Sequence, residues 1–300
     1  MKSQYLIVAG VHKAGTTSLY SYLNAHPDIY CSLKKEIHFF TPMVYGKDLP
    51  PFENYTKYFR FMKNEKYKLD ASPSYFYGKQ NIIESLHKTL QNPKIIVILR
   101  EPVARFYSFY KQAKQMNQME KRENFTIFYQ KSLAEFNNYI KDNSIDSNYY
   151  NRALREGCYS LYIKEWIKFF GKNLKIIFFE DLILSPNDIM KEITQWLGIE
   201  NLYEKYVFKK ENVSRKPNFF LLHKLANQIF FTFEIAIRKR PALKRMLKTF
   251  YSKLNMSEFE NEMTPLIKGQ LQSFYRVYNK ELHDILKSQN IKIPDRYLEY

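Results

Sequence analysis

Cysteine and glycine are scarce in this chain of 300 residues, with two and eight respectively, and acidic residues are outnumbered by basic ones. Cys31 and Cys158 cannot build a disulfide framework, and with no CxxC pair or Cys/His cluster they offer no zinc site. No metal is expected. The apolar stretch at 5–11 is too short to cross a membrane, lacks a signal-cleavage pattern and leads straight into a loop. It reads as a first strand. With no secretory or membrane anchor to point to, a cytoplasmic protein is expected.

Aromatic residues make up 17% of the chain, and 47 Lys/Arg against 30 Asp/Glu leave a net charge of +17. The 45% hydrophobic and 26% charged fractions are those of an ordinary soluble globular protein. The charge is uneven: between Lys205 and Lys248 twelve Lys/Arg meet only Glu211 and Glu234. Such a region suits phosphates, acidic glycans or an anionic membrane surface; a solvated basic face is the plain alternative. Residues 219–237 are rich in Phe, Leu and Ile but interrupted by His223, Lys224 and Glu234, and Arg238-Lys239-Arg240 and Lys244-Arg245 follow. That pattern fits peripheral membrane contact through 219–248, or a core helix whose basic end binds an acidic glycan. No nucleic acid is expected as a partner.

Strand and helix alternate through the first 200 residues. Strands are expected at 5–10, 29–32, near 68–70, 94–99 and 174–179, and helices at 16–24, 82–90, 102–116, 161–170 and 186–197. The unbroken run Lys94-Ile-Ile-Val-Ile-Leu99 implies burial on both faces. Residues 120–150 are polar and weakly periodic, as in a helix with a mobile loop over a site. A closing helix is expected at 264–286. The reading is one α/β domain over 1–300: a mostly parallel, doubly wound sheet in a core of about 4–200, then a basic helical part from about 205 to 300.

The first βα junction reads Gly10-Val-His-Lys13-Ala14-Gly15-Thr16-Thr17-Ser18. A strand, a tight loop and a helix start gather backbone N–H groups and a positive helix end around one point, a binding place for phosphate-like anions. A magnesium-NTP loop wants Gly-x4-Gly-Lys-Ser/Thr. Here the lysine lies two residues before the glycine, so a nucleotide kinase with a deviant loop is the weaker reading. A second anion site is expected at Arg100-Glu-Pro-Val-Ala-Arg105-Phe-Tyr-Ser108. Arg100 ends the central strand, where open α/β sheets place ligands, and Ser108 falls about two turns into the following helix.

The first loop resembles the Lys-x-Gly-Thr-(Thr/Ser)-x-Leu pattern of sulfotransferases that use 3′-phosphoadenylyl sulfate (PAPS), and the second segment their Arg-x-Pro-x-x-Arg-x-x-Ser pattern. The resemblance, which covers roughly residues 4–200, implies a P-loop-like α/β fold. It implies PAPS as donor, held by Lys13, Ala14, Gly15, Thr16, Thr17, Ser18, Arg100 and Ser108, and PAP as product. Arg215 and Lys216 in Asn212-Val-Ser-Arg-Lys-Pro217 resemble further phosphate ligands. Gly157-Cys-Tyr159 and Glu180-Asp-Leu182 resemble fold markers of the family, and Arg105 a structural brace.

Lys35-Glu36-Ile-His38-Phe-Phe40 resembles a segment of the heparan-type carbohydrate sulfotransferases. The resemblance implies Glu36 as base, His38 as its support, Lys13 at the leaving oxygen, and a carbohydrate or glycolipid acceptor. Asp70-Ala-Ser-Pro-Ser-Tyr-Phe76 departs from the matching Glu-Lys-(Ser/Thr)-Pro stretch: Ala71 stands where the heparan-modifying members carry a lysine. That departure puts a heparan-type acceptor in doubt, with Lys68 able to compensate only if the chain is shifted. A non-catalytic PAPS- or glycan-binding module is the remaining alternative.

Overall fold

The computed structural model describes residues 3–116, 118–120, 123–142, 149–208, 215–217 and 254–299, together with Leu222, Leu225, Met246 and Tyr251. Five parallel strands form the central sheet: β1 (Gln4–Gly10), β2 (Ile29–Cys31), β3 (Tyr67–Ala71), β4 (Lys94–Leu99) and β5 (Leu174–Phe178), in the order β2-β3-β1-β4-β5. Ile95 to Leu99 of β4 are fully buried, as a strand covered on both faces must be. The chain steps outward from β1 to β2 and then returns across β1 to β4. This reversal opens a crevice at the carboxyl ends of β3, β1 and β4.

The linking helices are α1 (Thr16–Leu23), a short α2 (Glu53–Thr56), α3 (Lys79–Leu90), α4 (Pro102–Gln115), α5 (Phe125–Asp142), α6 (Tyr149–Arg155), α7 (Ser160–Phe170), α8 (Phe179–Leu184), α9 (Pro186–Leu197) and α10 (Pro265–Lys287). A two-stranded antiparallel ribbon pairs β6 (Arg215–Pro217) with β7 (Met256–Glu258) and lies against α4. The fold is the α/β arrangement expected. Around the sheet, Leu6, Ile7, Val8, Leu69, Ile82, Trp166 and Ile193 belong to one apolar core. A second core joins α4, α5, α6 and α10 through Phe106, Phe128, Phe136, Leu154, Leu271 and Tyr275.

The segment 120–150, expected as a helix with a mobile loop, holds the long helix α5 and the start of α6, and residues 143–148 lie outside the described ones. In α5, Phe125, Phe128, Tyr129, Ser132 and Phe136 are buried at three- and four-residue spacing, so the polar composition concealed a helical stripe. Most of 219–248, and the membrane contact expected of it, lie outside the described residues.

Candidate active site

The register of β1 against β4 slips by one residue between Val8 and Gly10, so Ala9 is an extra residue where the strand approaches the crevice. The chain turns at Lys13 (φ 70°) and Gly15 (φ 82°) and enters α1. A side chain at Gly15 would meet both the left-handed backbone and the Phe179 ring, 2.7 Å from its first carbon, so only glycine fits. No side chain caps α1, and its first-turn N–H groups at 16–18 have no carbonyl of their own helix to bond. Ala14 is fully buried, so the loop offers only its backbone there. Thr16 and Ser18 are buried and Thr17 is half-buried.

Arg100 leaves the end of β4 and crosses to this loop. Its Nη1 donates to the Lys13 carbonyl at 2.8 Å, its guanidinium stacks 4.4 Å from the Phe179 ring centre, and its Nε is buried with no hydrogen-bond partner among the described residues. The Tyr159 hydroxyl donates to the Arg100 carbonyl at 2.7 Å, which gives the Gly157-Cys-Tyr159 segment a bracing part. Glu101 starts α4: its carboxylate accepts from the N–H groups of Val103 and Ala104 at 2.8 and 2.7 Å. That helix carries Ser108, which is buried, and Lys111, whose charge acts on Lys13. Burial first, then Arg100, pulls the Lys13 ammonium down to about 8. Two crowded cations and an orphaned buried N–H fit an anionic ligand at this point.

Facing Lys13 is the loop of Glu36 and His38, both with positive φ, at 62° and 59°. Glu36 pairs with Lys35 through Oε1, and its Oε2 lies 3.5 Å from His38 Nε2. Burial pushes the carboxyl up, but hydrogen bonding to His38 and the charges of Lys35 and His12 outweigh it and hold Glu36 at about 2. The other ring nitrogen, His38 Nδ1, lies 3.1 Å from Ser74 Oγ and 3.4 Å from Thr41 Oγ1.

The crevice therefore gathers Lys13, the loop 14–18, Arg100, Glu36 and His38, with Ser108 on the helix that follows Arg100. Arg215 and Lys216 are brought beside the helix of Ser108 by backbone placement in β6. Lys68 is not brought in: its ammonium sits 5.1 Å from the Tyr5 ring centre, near the opposite end of the sheet. Ala71 is fully buried.

Sequence reasoning missed His12 and Glu156. His12 Nδ1 lies 2.9 Å from Glu156 Oε2 and its ring stacks on Tyr77 at 5.4 Å. Glu156 is buried and also pairs with Arg152 at 2.9 Å and Arg105 at 3.7 Å. A histidine beside the loop lysine was a visible signal; its carboxylate partner, 144 residues away, was not.

The signature of a sulfotransferase domain matches residues 3–286. This chain belongs to the sulfotransferase family. Human heparan sulfate glucosamine 3-O-sulfotransferase 5 is 28% identical over 67% of this chain and 55% of its own length. Human carbohydrate sulfotransferase 15 is 25% identical over 67% of this chain and 45% of its own. The sulfotransferase chain thus spans about half the length of these curated relatives. Among solved structures, a sulfotransferase from Alicyclobacillus acidocaldarius matches with a TM-score of 0.64, 20% identity and 98% coverage of both chains, a likeness of fold.

Proposed function

We propose that this sulfotransferase moves the sulfuryl group of PAPS to a hydroxyl or amine of a carbohydrate acceptor. The observation that carries the reading is the meeting of three strand ends. Lys13 with its helix start, Arg100 with its unpartnered Nε, and the Glu36–His38 pair face one crevice. The chain's residues fit an adenosine donor bearing two separate anionic groups. Lys13 and the N–H groups at 16–18 hold the phosphosulfate end; Arg100 and Ser108, joined by Arg215 and Lys216, hold the 3′-phosphate. That second site distinguishes PAPS from ATP.

Sulfuryl transfer needs in-line placement, stabilisation of charge on the departing phosphate oxygen and a sink for the acceptor's proton. Lys13 supplies the cation. Glu36 is ionised at every working pH and accepts the proton, and His38, 3.5 Å away, supports it. A carboxylate this weakly basic serves because most of the acceleration rests on positioning and electrostatics, as in phosphoryl transfer. A carbohydrate acceptor is supported by the named relatives. Ala71 and the remote Lys68 leave the heparan-type lysine without a counterpart here and argue for a different glycan.

The test is sulfur-labelled PAPS with a panel of glycans and glycolipids, followed by mass measurement of the product. Lys13→Ala and Arg100→Ala are expected to lose PAP binding and transfer. Glu36→Gln is expected to keep PAP binding and lose about 100-fold or more in turnover. Transfer by Glu36→Gln at the wild-type rate would remove its role as base. Magnesium-dependent ATP binding without PAP affinity would replace the whole reading with a kinase.

A further inference from the structure

We propose that Asp70 is a positioning residue for the transfer: one buried carboxylate at the end of β3 that fixes the loop presenting Glu36 and His38. The inference rests on the reading that this pair works at the acceptor. Asp70 is fully buried and collects three side-chain donors. Ser72 Oγ donates to Oδ1 at 2.8 Å, and Tyr75 and Tyr55 donate to Oδ2 at 2.9 and 3.4 Å.

Two of those donors pass the anchorage on. The His38 N–H donates to Ser72 Oγ at 3.2 Å, and the Phe40 N–H donates to the Tyr75 hydroxyl at 3.4 Å. The backbone N–H groups of His38 and Phe40 are thus tied, each through one hydroxyl, to a single side chain. The loop needs such ties. Glu36 and His38 are both left-handed without being glycine, a conformation that costs about 1–2 kcal/mol per residue and persists only where surroundings enforce it.

The enforced geometry has a chemical result. With the backbone of His38 held on Ser72 and its Nδ1 beside Ser74 and Thr41, its Nε2 is left toward Glu36. Burial raises the Asp70 carboxyl to about 6, so near neutral pH it is ionised and can accept from all three donors. An apolar side chain at this place would leave those donors buried and unmatched.

The experiment measures turnover per PAP-binding site for Asp70→Asn, Ser72→Ala and Glu36→Gln, and for Asp70→Asn combined with Glu36→Gln. Counting sites by PAP titration separates misplacement of the loop from loss of folded protein. Asp70→Asn and Ser72→Ala are expected to lower turnover about 10- to 100-fold while PAP affinity stays within about twofold. Added to Glu36→Gln, Asp70→Asn is expected to cost no more than about threefold, because residues that act as a unit are not additive. Should Asp70→Asn fail to fold, Ser72→Ala decides alone. Wild-type turnover per site in both single variants, or a penalty that multiplies fully with that of Glu36→Gln, would overturn the proposal. Wild-type turnover by Glu36→Gln would instead overturn the assignment of the base, and this inference with it.

Discussion

Lys13 shows how the site sets the properties of one residue. Burial and the nearby Arg100 hold its ammonium down to about 8, so the ligand-free protein keeps the proton less firmly than a free lysine does. The unfolded chain, with the ordinary value near 10.5, binds more protons between about pH 8 and 10.5, so this residue's contribution to stability rises with pH across that window. At pH 7 it is a stored cost. Lys13→Met is therefore expected to raise the melting temperature of the ligand-free protein, by roughly 2–4 °C for each ~1 kcal/mol relieved, while donor binding is lost. The same shift predicts that kcat/KM for PAPS falls as pH rises through about 8. kcat should hold to higher pH, because a bound anion keeps the proton on Lys13; steady-state rates from pH 6 to 10 check this. Glu36, at about 2, predicts no acid limb of its own above pH 4.

At the scale of the element, α4 leaves the end of β4 beside Arg100 and carries Ser108. It starts sharply because Pro102 occupies its first turn and the Glu101 carboxylate takes two of its free N–H groups. Glu101→Ala is expected to cost about 1 kcal/mol of stability, read from urea unfolding, and to weaken PAP binding because Ser108 rides on the same helix. Most such elements were legible from local pattern. The β4 run, the helix from Pro102 and the helix Pro186–Leu197 fall where apolar period, proline and glycine placed them. Within 120–150 a helix was expected but its extent was not legible, because the buried stripe of α5 is interleaved with Lys, Glu and Asn and its partners come from α4, α6 and α10.

For the whole molecule, Glu156 is the joint between the donor loop and the second core. It receives His12 from the loop, Arg105 from α4 and Arg152 from α6, and these partners hold its carboxyl low against the opposing effect of burial. Removing its charge would strand the fully buried Arg105 without a carboxylate. Glu156→Gln is expected to destabilise the protein by about 3–5 kcal/mol, measured as a lower denaturant midpoint at unchanged slope. Donor affinity should fall in step, since His12 adjoins Lys13.

The two segments proposed to hold the donor, the order of strands and helices, and the Glu36–His38 hexapeptide were determined by the sequence alone. Each is a matter of residues close in the chain, where spacing and turn chemistry suffice. Three things were decided only by the tertiary structure: that β1 and β4 are neighbours, so Arg100 reaches the Lys13 carbonyl; that Glu156 closes on His12; and that Asp70 holds Ser72 and Tyr75, which bond the backbone of His38 and Phe40. The reason is physical. A buried charge is tolerable only when partners surround it, and the folded sheet brings those partners together from segments that carry no mark of one another in the chain.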